Sequence, residues 1–107
     1  MSIRWWIKSK YQKLTRGYSD DELWNLDATF VDWILPRLKT FKEHNIGYPI
    51  GFSSKEEWDA ELETMIEAFE LYKINYELDD LNEIKKNNEI IDKGFELFGK
   101  RIRNLWW

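Results

Sequence analysis

Residues 16–27 read RGYSDDELWNLD, and this stretch decides the fold. Ser19 is a good N-cap, and Glu22 stands three residues later, the spacing of a capping box. Asp20, Asp21 and Glu22 fill a first turn, where negative charge meets the positive end of the helix dipole. Gly17 supplies the backbone freedom that a turn before the cap needs. The acids here start a helix and need no catalytic role. Downstream, Leu23, Leu26, Phe30, Ile34, Leu38 and Phe41 recur at helical spacing, and Trp24, Ala28, Val31 and Leu35 widen that face. The spacing predicts a helix from about 20 to 44. Pro36 sits inside it, removes one hydrogen bond, and is expected to kink or split it near Asp32 and Trp33.

Upstream, Ile3, Ile7, Tyr11 and Leu14 form a helical stripe that Gly17 ends. Downstream, HNIGYPIGFSS (44–54) is a loop, with two glycines and a proline. Ser54 and Glu57 form a second capping-box pair, followed by a strong helical face of Trp58, Leu62, Met65, Ile66, Phe69 and Tyr72. Residues 75–88, NYELDDLNEIKKNN, are polar and weakly patterned. Ile91, Phe95, Phe98, Ile102 and Leu105 mark a last helix carrying Gly94 and Gly99. Each glycine costs a helix up to ~1 kcal/mol relative to alanine, so the pair points to close packing against a neighbour. There is no internal repeat, no convincing strand and no low-complexity tract. The expectation is an all-α fold: one domain over 1–107, a compact three- to four-helix bundle with a long central helix kinked near Pro36.

The 107 residues suit one domain, and an apolar share of 43% argues against wholesale disorder. Seven tryptophans are an unusual supply of large amphipathic rings. Cysteine is absent, which excludes disulfides, thiolate metal sites and cysteine nucleophiles. No apolar run approaches the ~20 residues that span a bilayer, and IRWWIKSKYQKL is broken by lysines and lacks a secretory core. A cytoplasmic protein is expected. The formal net charge is −4, but it is segregated. Arg4, Lys8, Lys10, Lys13 and Arg16 face no acid before residue 17, and residues 56–92 hold thirteen acids against Lys73, Lys85 and Lys86. Lys100, Arg101 and Arg103 turn the end basic again. Basic ends and an acidic middle are expected to attract one another within the fold, and nucleic acid is not an expected partner.

Several motifs together, RGYSDDELWNLDATFVDWILPRLKTFKEHNIGYPIGF, EEWDAELETMIEAFELY and GFELFGKRIRNLWW, carry a resemblance. The chain resembles a family of small, uncharacterised proteins encoded by bacteriophages and prophages. That family shares R-G-[FY]-S-D, I-L-P-R-L-K, G-Y-P, E-W-D and E-L-F-x-K-x-x-R-x-L-W patterns. The resemblance covers most of residues 15–107 and implies a phage protein, so the cytoplasm expected above is that of the host. It implies no particular activity.

Catalytic chemistry finds little footing. His44 is the one histidine, at a helix end where a cation complements the dipole. Glu63, Glu67 and Glu70 share a helix face, but the Glu-x-x-His pairing of carboxylate metal bundles is missing, so a solvated acidic face is expected. Ser19, Ser53 and Ser54 read as caps or loop residues, and neither a nucleophile elbow nor a phosphate-cradling glycine loop is present. No catalytic residue, metal ligand or cofactor is assigned, and an enzyme is not expected.

Helix formation does not require Arg16, Asp27, Arg37, Tyr48, Pro49, Lys100, Arg101 or Arg103. Asp27 with Arg16 or Arg37 is read as an ion pair that fixes helix packing, and Trp24, Trp33 and Trp58 as core. In Trp5–Trp6 and Trp106–Trp107, adjacent residues point about 100° apart, so one of each pair is left nearer the surface. Arg4, Trp5, Arg16, Arg101, Arg103 and Trp107 are the expected ligand- or partner-binding surface. The expected function is non-enzymatic binding in the host cell, as counter-defence against a host protein or by capture of an anionic nucleotide-like ligand. An oligomeric structural or morphogenesis protein is the alternative, and a membrane-binding amphipathic surface ranks third. A dimer is expected, because so many aromatic rings are hard to bury in one small bundle.

Overall fold

The computed structural model describes residues 3–106. No strand occurs among them. The elements are α1 (Ile3–Arg16), α2 (Asp20–Trp24), α3 (Leu26–His44), α4 (Lys55–Asn75), α5 (Leu81–Arg101) and a short 3-10 turn, Ile102–Asn104. The chain divides into two units, residues 1–32 and 33–107.

In the first unit, α1 ends where Gly17 takes φ +87°, and the Gly17 N–H bonds the Lys13 carbonyl at 3.0 Å. A side chain there would be strained, which is why glycine closes this helix. The capping box at Ser19 and Glu22 then starts α2, with Glu22 Oε2 accepting from the Ser19 N–H at 2.6 Å. The single helix expected over 20–44 is instead two. Asn25 leaves helical geometry at φ −127°, ψ 55°, and its carbonyl accepts from the Thr29 N–H at 2.8 Å. The Thr29 hydroxyl takes the Glu22 carbonyl at 3.3 Å. The Asn25 carbonyl thus accepts the first helical bond of α3, while the Thr29 hydroxyl satisfies one of the carbonyls left open at the end of α2. Among the described residues this break gives five α-helices where three to four were expected.

In the second unit, α3 runs through Pro36 to His44 and buries Leu35 and Leu38. Lys39–Glu70 at 3.2 Å and Lys42–Glu63 at 3.3 Å tie it to α4. α4 and α5 form an antiparallel hairpin: Glu61 meets Arg101, Gly94 lies against Ala68, and Asn75 meets Asn87. Trp58, Leu62, Met65, Ile66, Ala68 and Phe69 from α4 and Ile91 from α5 make the core. Phe69 packs on Phe95 and Phe98 with ring centroids 5.1 and 5.3 Å apart. A Cβ on Gly94 would sit 2.2 Å from the Ala68 Cβ, so this glycine sets the helix separation. Gly99 has open space around it and plays no such part.

α5 begins inside the stretch that the sequence left unpatterned. Asp80 caps it, accepting from the Asn82 and Glu83 N–H groups at 2.9 and 3.5 Å. Buried Asn87 donates to Asn75 Oδ1 at 2.9 Å, and Asn75 donates to Asn88 Oδ1 at 3.0 Å. The polar residues that blurred the pattern are the ones joining the two helices.

Two expectations about tryptophan change. Trp58 is core, but Trp24 is 77% exposed and Trp33 is exposed as well. Arg37 lies over the Trp33 ring at 4.3 Å and bonds the Trp33 carbonyl at 2.8 Å, covering it with a cation rather than with core. Along this segment the buried residues are Val31, Leu35 and Leu38, spaced four and three apart. Leu23, Leu26 and Phe30 are exposed.

Candidate functional site

The polar chemistry of the quoted stretch is consumed in building the first unit. Asp20 accepts from Gln12 Nε2 at 2.9 Å and from Arg16 Nη2 at 2.5 Å, while its N–H donates to Gln12 Oε1 at 2.8 Å. The Gln12 and Arg16 hydrogen bonds hold the Asp20 carboxyl down to about 2. Arg16 also bonds the Tyr18 carbonyl at 3.0 Å and stacks over the Tyr18 ring at 4.4 Å. The buried Ser19 hydroxyl donates to Asp21 and lowers that carboxyl too. Arg16, one of the cations expected to pair with Asp27, pairs with Asp20 four residues away, and Arg37 stacks on Trp33.

This clamp turns α1 over. Lys8, Ser9, Gln12 and Arg16 face the acids of α2, and Trp5 packs on Trp24 with centroids 5.8 Å apart. The covered side of α1 is thus largely polar. The apolar stripe is open: Ile3 is 78% and Leu14 87% exposed, and Ile7, Tyr11 and Trp6 are exposed with them. Lys10 stands over the Trp6 ring at 5.6 Å, and exposed Arg4 and Lys13 lie on the same helix.

In the second unit, Arg101 forks onto Glu61 through Nε–Oε1 at 3.0 Å and Nη2–Oε2 at 3.4 Å. Its guanidinium lies 4.8 Å from the Phe52 ring, and Phe52 meets Trp58 edge-on at 5.1 Å. The start of α4 is fixed by the Glu57 N–H to Ser54 Oγ bond at 3.1 Å, while Glu57 accepts from the Ser53 hydroxyl and N–H at 2.5 and 2.9 Å. Those Ser53 bonds lower the Glu57 pKa. The preceding turn closes from the Phe52 N–H to the Pro49 carbonyl at 3.2 Å, with Gly51 at φ +104°. Beside this turn lies a cavity of about 460 Å³ lined by residues 45–50 with Trp58, Asn104 and Trp106.

Of the six expected binding residues, Arg4 is exposed and Trp5 half-buried on α1. Arg16 and Arg101 have structural partners that the sequence did not reveal, Asp20 and Glu61. Arg103 is exposed, and Trp107 lies outside the described residues. Trp58, Asn45 and Asn104 were not singled out as site residues. Their signal was faint: Tyr48 and Pro49 in a glycine-bearing loop, followed by an aromatic residue in the next helix. Among the described residues, no group of three or more His, Asp or Glu is placed to hold a metal ion. Glu63 and Glu70 instead pair with lysines of α3, and His44 is exposed at the end of that helix. No helix of the described residues is long and apolar enough to cross a membrane. No family model, curated protein or solved structure matches the chain.

Proposed function

We propose that this chain is a phage-encoded binding protein that acts in the host cytoplasm, and that it grips an acidic host protein through α1. Counter-defence is the concrete form of the reading. The observation that carries it is the open stripe of Ile3, Ile7, Tyr11 and Leu14. A stable unit rarely leaves such a stripe uncovered unless something docks on it. Arg4, Lys10 and Lys13 beside it favour a groove rimmed by carboxylates. Arg16 is spent on Asp20, so the selectivity of this surface rests on the other three cations.

The test is the double variant Ile7→Glu, Leu14→Glu. Neither residue is buried, so the melting temperature is expected to stay put while phage benefit in an infection assay is lost. Full benefit from this variant, with loss on charge reversal at Glu63 and Glu67, would move the working face to α4. The second reading is an oligomeric morphogenesis protein, favoured by the apolar character of the same stripe. Sedimentation velocity separates the two: a dimer at tens of micromolar that the double variant dissolves favours self-association, and a monomer favours the host partner.

A further inference from the structure

The cavity beside α4 has no part in that reading, and its lining has a chemistry of its own. We propose that it binds a neutral purine base or nucleoside. Tyr48, Pro49 and Trp106 give it flat apolar walls suited to stacking a planar ring. Trp58 is 0% exposed, and its indole N–H has no acceptor among the described residues. A buried donor left unpaired is costly, and an acceptor on a bound ring recovers that loss. Asn104 adds a carboxamide with donor and acceptor side by side, the pattern that reads the edge of adenine. Asn45 Oδ1 is taken by the Gly47 N–H at 3.2 Å, which turns its amide NH2 into the group left to donate.

Charge narrows the class. Among the described residues no charged side chain lines the cavity, so a phosphate there would lose water without gaining a partner from them. The ligand recognised here is the base, not an anionic nucleotide. The volume of about 460 Å³ is in the range of small-molecule sites. The indole N–H is covered in this structure, so a ligand reaches it only as its surroundings shift. Gly47 and Gly51 have open space around them, and Ile46 and Ile50 stand fully in solvent. Closing these two side chains over a bound ring would remove that exposed apolar area.

The experiment is titration of the full chain with adenosine, guanosine and AMP, followed by the indole N–H signals in 15N-correlated NMR spectra. Trp58→Phe removes one indole signal and so identifies it. Adenosine or guanosine is expected to move the Trp58 signal, AMP to bind no tighter than adenosine, and Asn104→Ala to weaken binding about tenfold. A Trp58 signal unmoved by millimolar nucleoside overturns the proposal, and so does AMP binding more than tenfold tighter than adenosine. If Trp58→Phe fails to fold, Tyr48→Ala on the exposed loop serves in its place. It is expected to weaken adenosine binding, and unchanged affinity overturns the proposal equally.

Discussion

α1 and α4 carry apolar residues at the same helical spacing and use them in opposite ways. In α4, Trp58, Leu62, Met65, Ile66 and Phe69 are buried. In α1, no residue is buried. The difference lies in what each helix is offered. α5 brings Ile91 and a glycine to α4, so the apolar face is covered. α2 brings Asp20 and Asp21 to α1, so the polar face is covered with hydrogen bonds and ion pairs. Periodicity defines a face, and the neighbouring element decides whether it points inward.

The largest test of this contrast pairs Phe69 with Leu14. Phe69→Ala is expected to cost about 3–5 kcal/mol, because it empties a site wedged between Phe95 and Phe98. Leu14→Ala removes a side chain that is already in water, and is expected to change stability by no more than about 0.5 kcal/mol. Urea titration of both variants reads the difference. A Leu14→Ala loss of several kcal/mol would show that the α1 stripe is covered in solution.

The next effect separates two glycines on one helix. Gly94→Ala places a Cβ 2.2 Å from Ala68 Cβ and 3.0 Å from the Thr64 carbonyl. Overpacking of this kind costs about 1–3 kcal/mol, more than the gain of up to about 1 kcal/mol in helix propensity. Gly99→Ala meets nothing within 4 Å and is expected to stabilise by up to about 1 kcal/mol. Adding Ala68→Gly to Gly94→Ala removes the clashing methyl and is expected to recover part of the loss. Thermal melts of the four proteins settle the sign at each position.

The legible part of the fold was the part set by local rules. Both capping pairs, the turn at Gly17 and the core face of α4 follow from residue chemistry within one element, whereas of the two glycines expected to pack closely only Gly94 meets a neighbour, on α4. The helix break did not, because apolar spacing runs unbroken through Asn25, where the backbone leaves helical geometry and the Thr29 hydroxyl satisfies the Glu22 carbonyl that the break exposes. Nor did the start of α5, where asparagines looked like loop residues and instead bond across to α4. The expected surface fared unevenly for the same reason. Arg16 and Arg101 looked free because their carboxylates are supplied by other elements, and the Glu61 partner of Arg101 is 40 residues away. Loop, helix and C-terminal turn make the cavity together, so no local pattern announced it.

A smaller effect concerns the polar clamp of the first unit. Ser19→Ala is expected to cost about 1 kcal/mol, within the usual range of about 0.5–2 for an N-cap. The clamp is also acid-sensitive. The Asp20 carboxyl sits at about 2, below the ordinary aspartate value of about 3.9, and Asp21 is lowered as well. A folded-state value below the unfolded one contributes stability that is present above the unfolded value and lost as pH falls through the folded one. Stability is therefore expected to hold from neutral pH down to about 5 and to fall between about 4 and 2. Asp20→Asn should flatten part of that fall, read from denaturant titrations at stepped pH. An unchanged acid limb in Asp20→Asn would assign the loss to other carboxylates such as Glu57, whose pKa Ser53 lowers.

The smallest expected effect lies where the second unit borrows the polar style of the first. Lys39–Glu70 and Lys42–Glu63 bridge α3 to α4 at 3.2 and 3.3 Å. Water reaches all four side chains, so Coulomb attraction is screened and ordering two long side chains offsets much of it. A double-mutant cycle on Lys39→Ala and Glu70→Ala is expected to return a coupling of about 0.2–1 kcal/mol. At 1 M salt, where the Debye length is about 3 Å, the coupling should fall toward zero. The clamp of the first unit should behave differently, because the Gln12–Asp20 bonds are not an ion pair and Arg16 is held by the Tyr18 carbonyl as well. A Gln12→Ala loss that survives 1 M salt, beside a Lys39–Glu70 coupling that does not, would show that α1 is held by directed hydrogen bonds, whereas the charges of α3 add little to the burial of its Leu35 and Leu38. A salt-resistant Lys39–Glu70 coupling would mean that α3 is seated on α4 far more firmly than these exposed pairs imply.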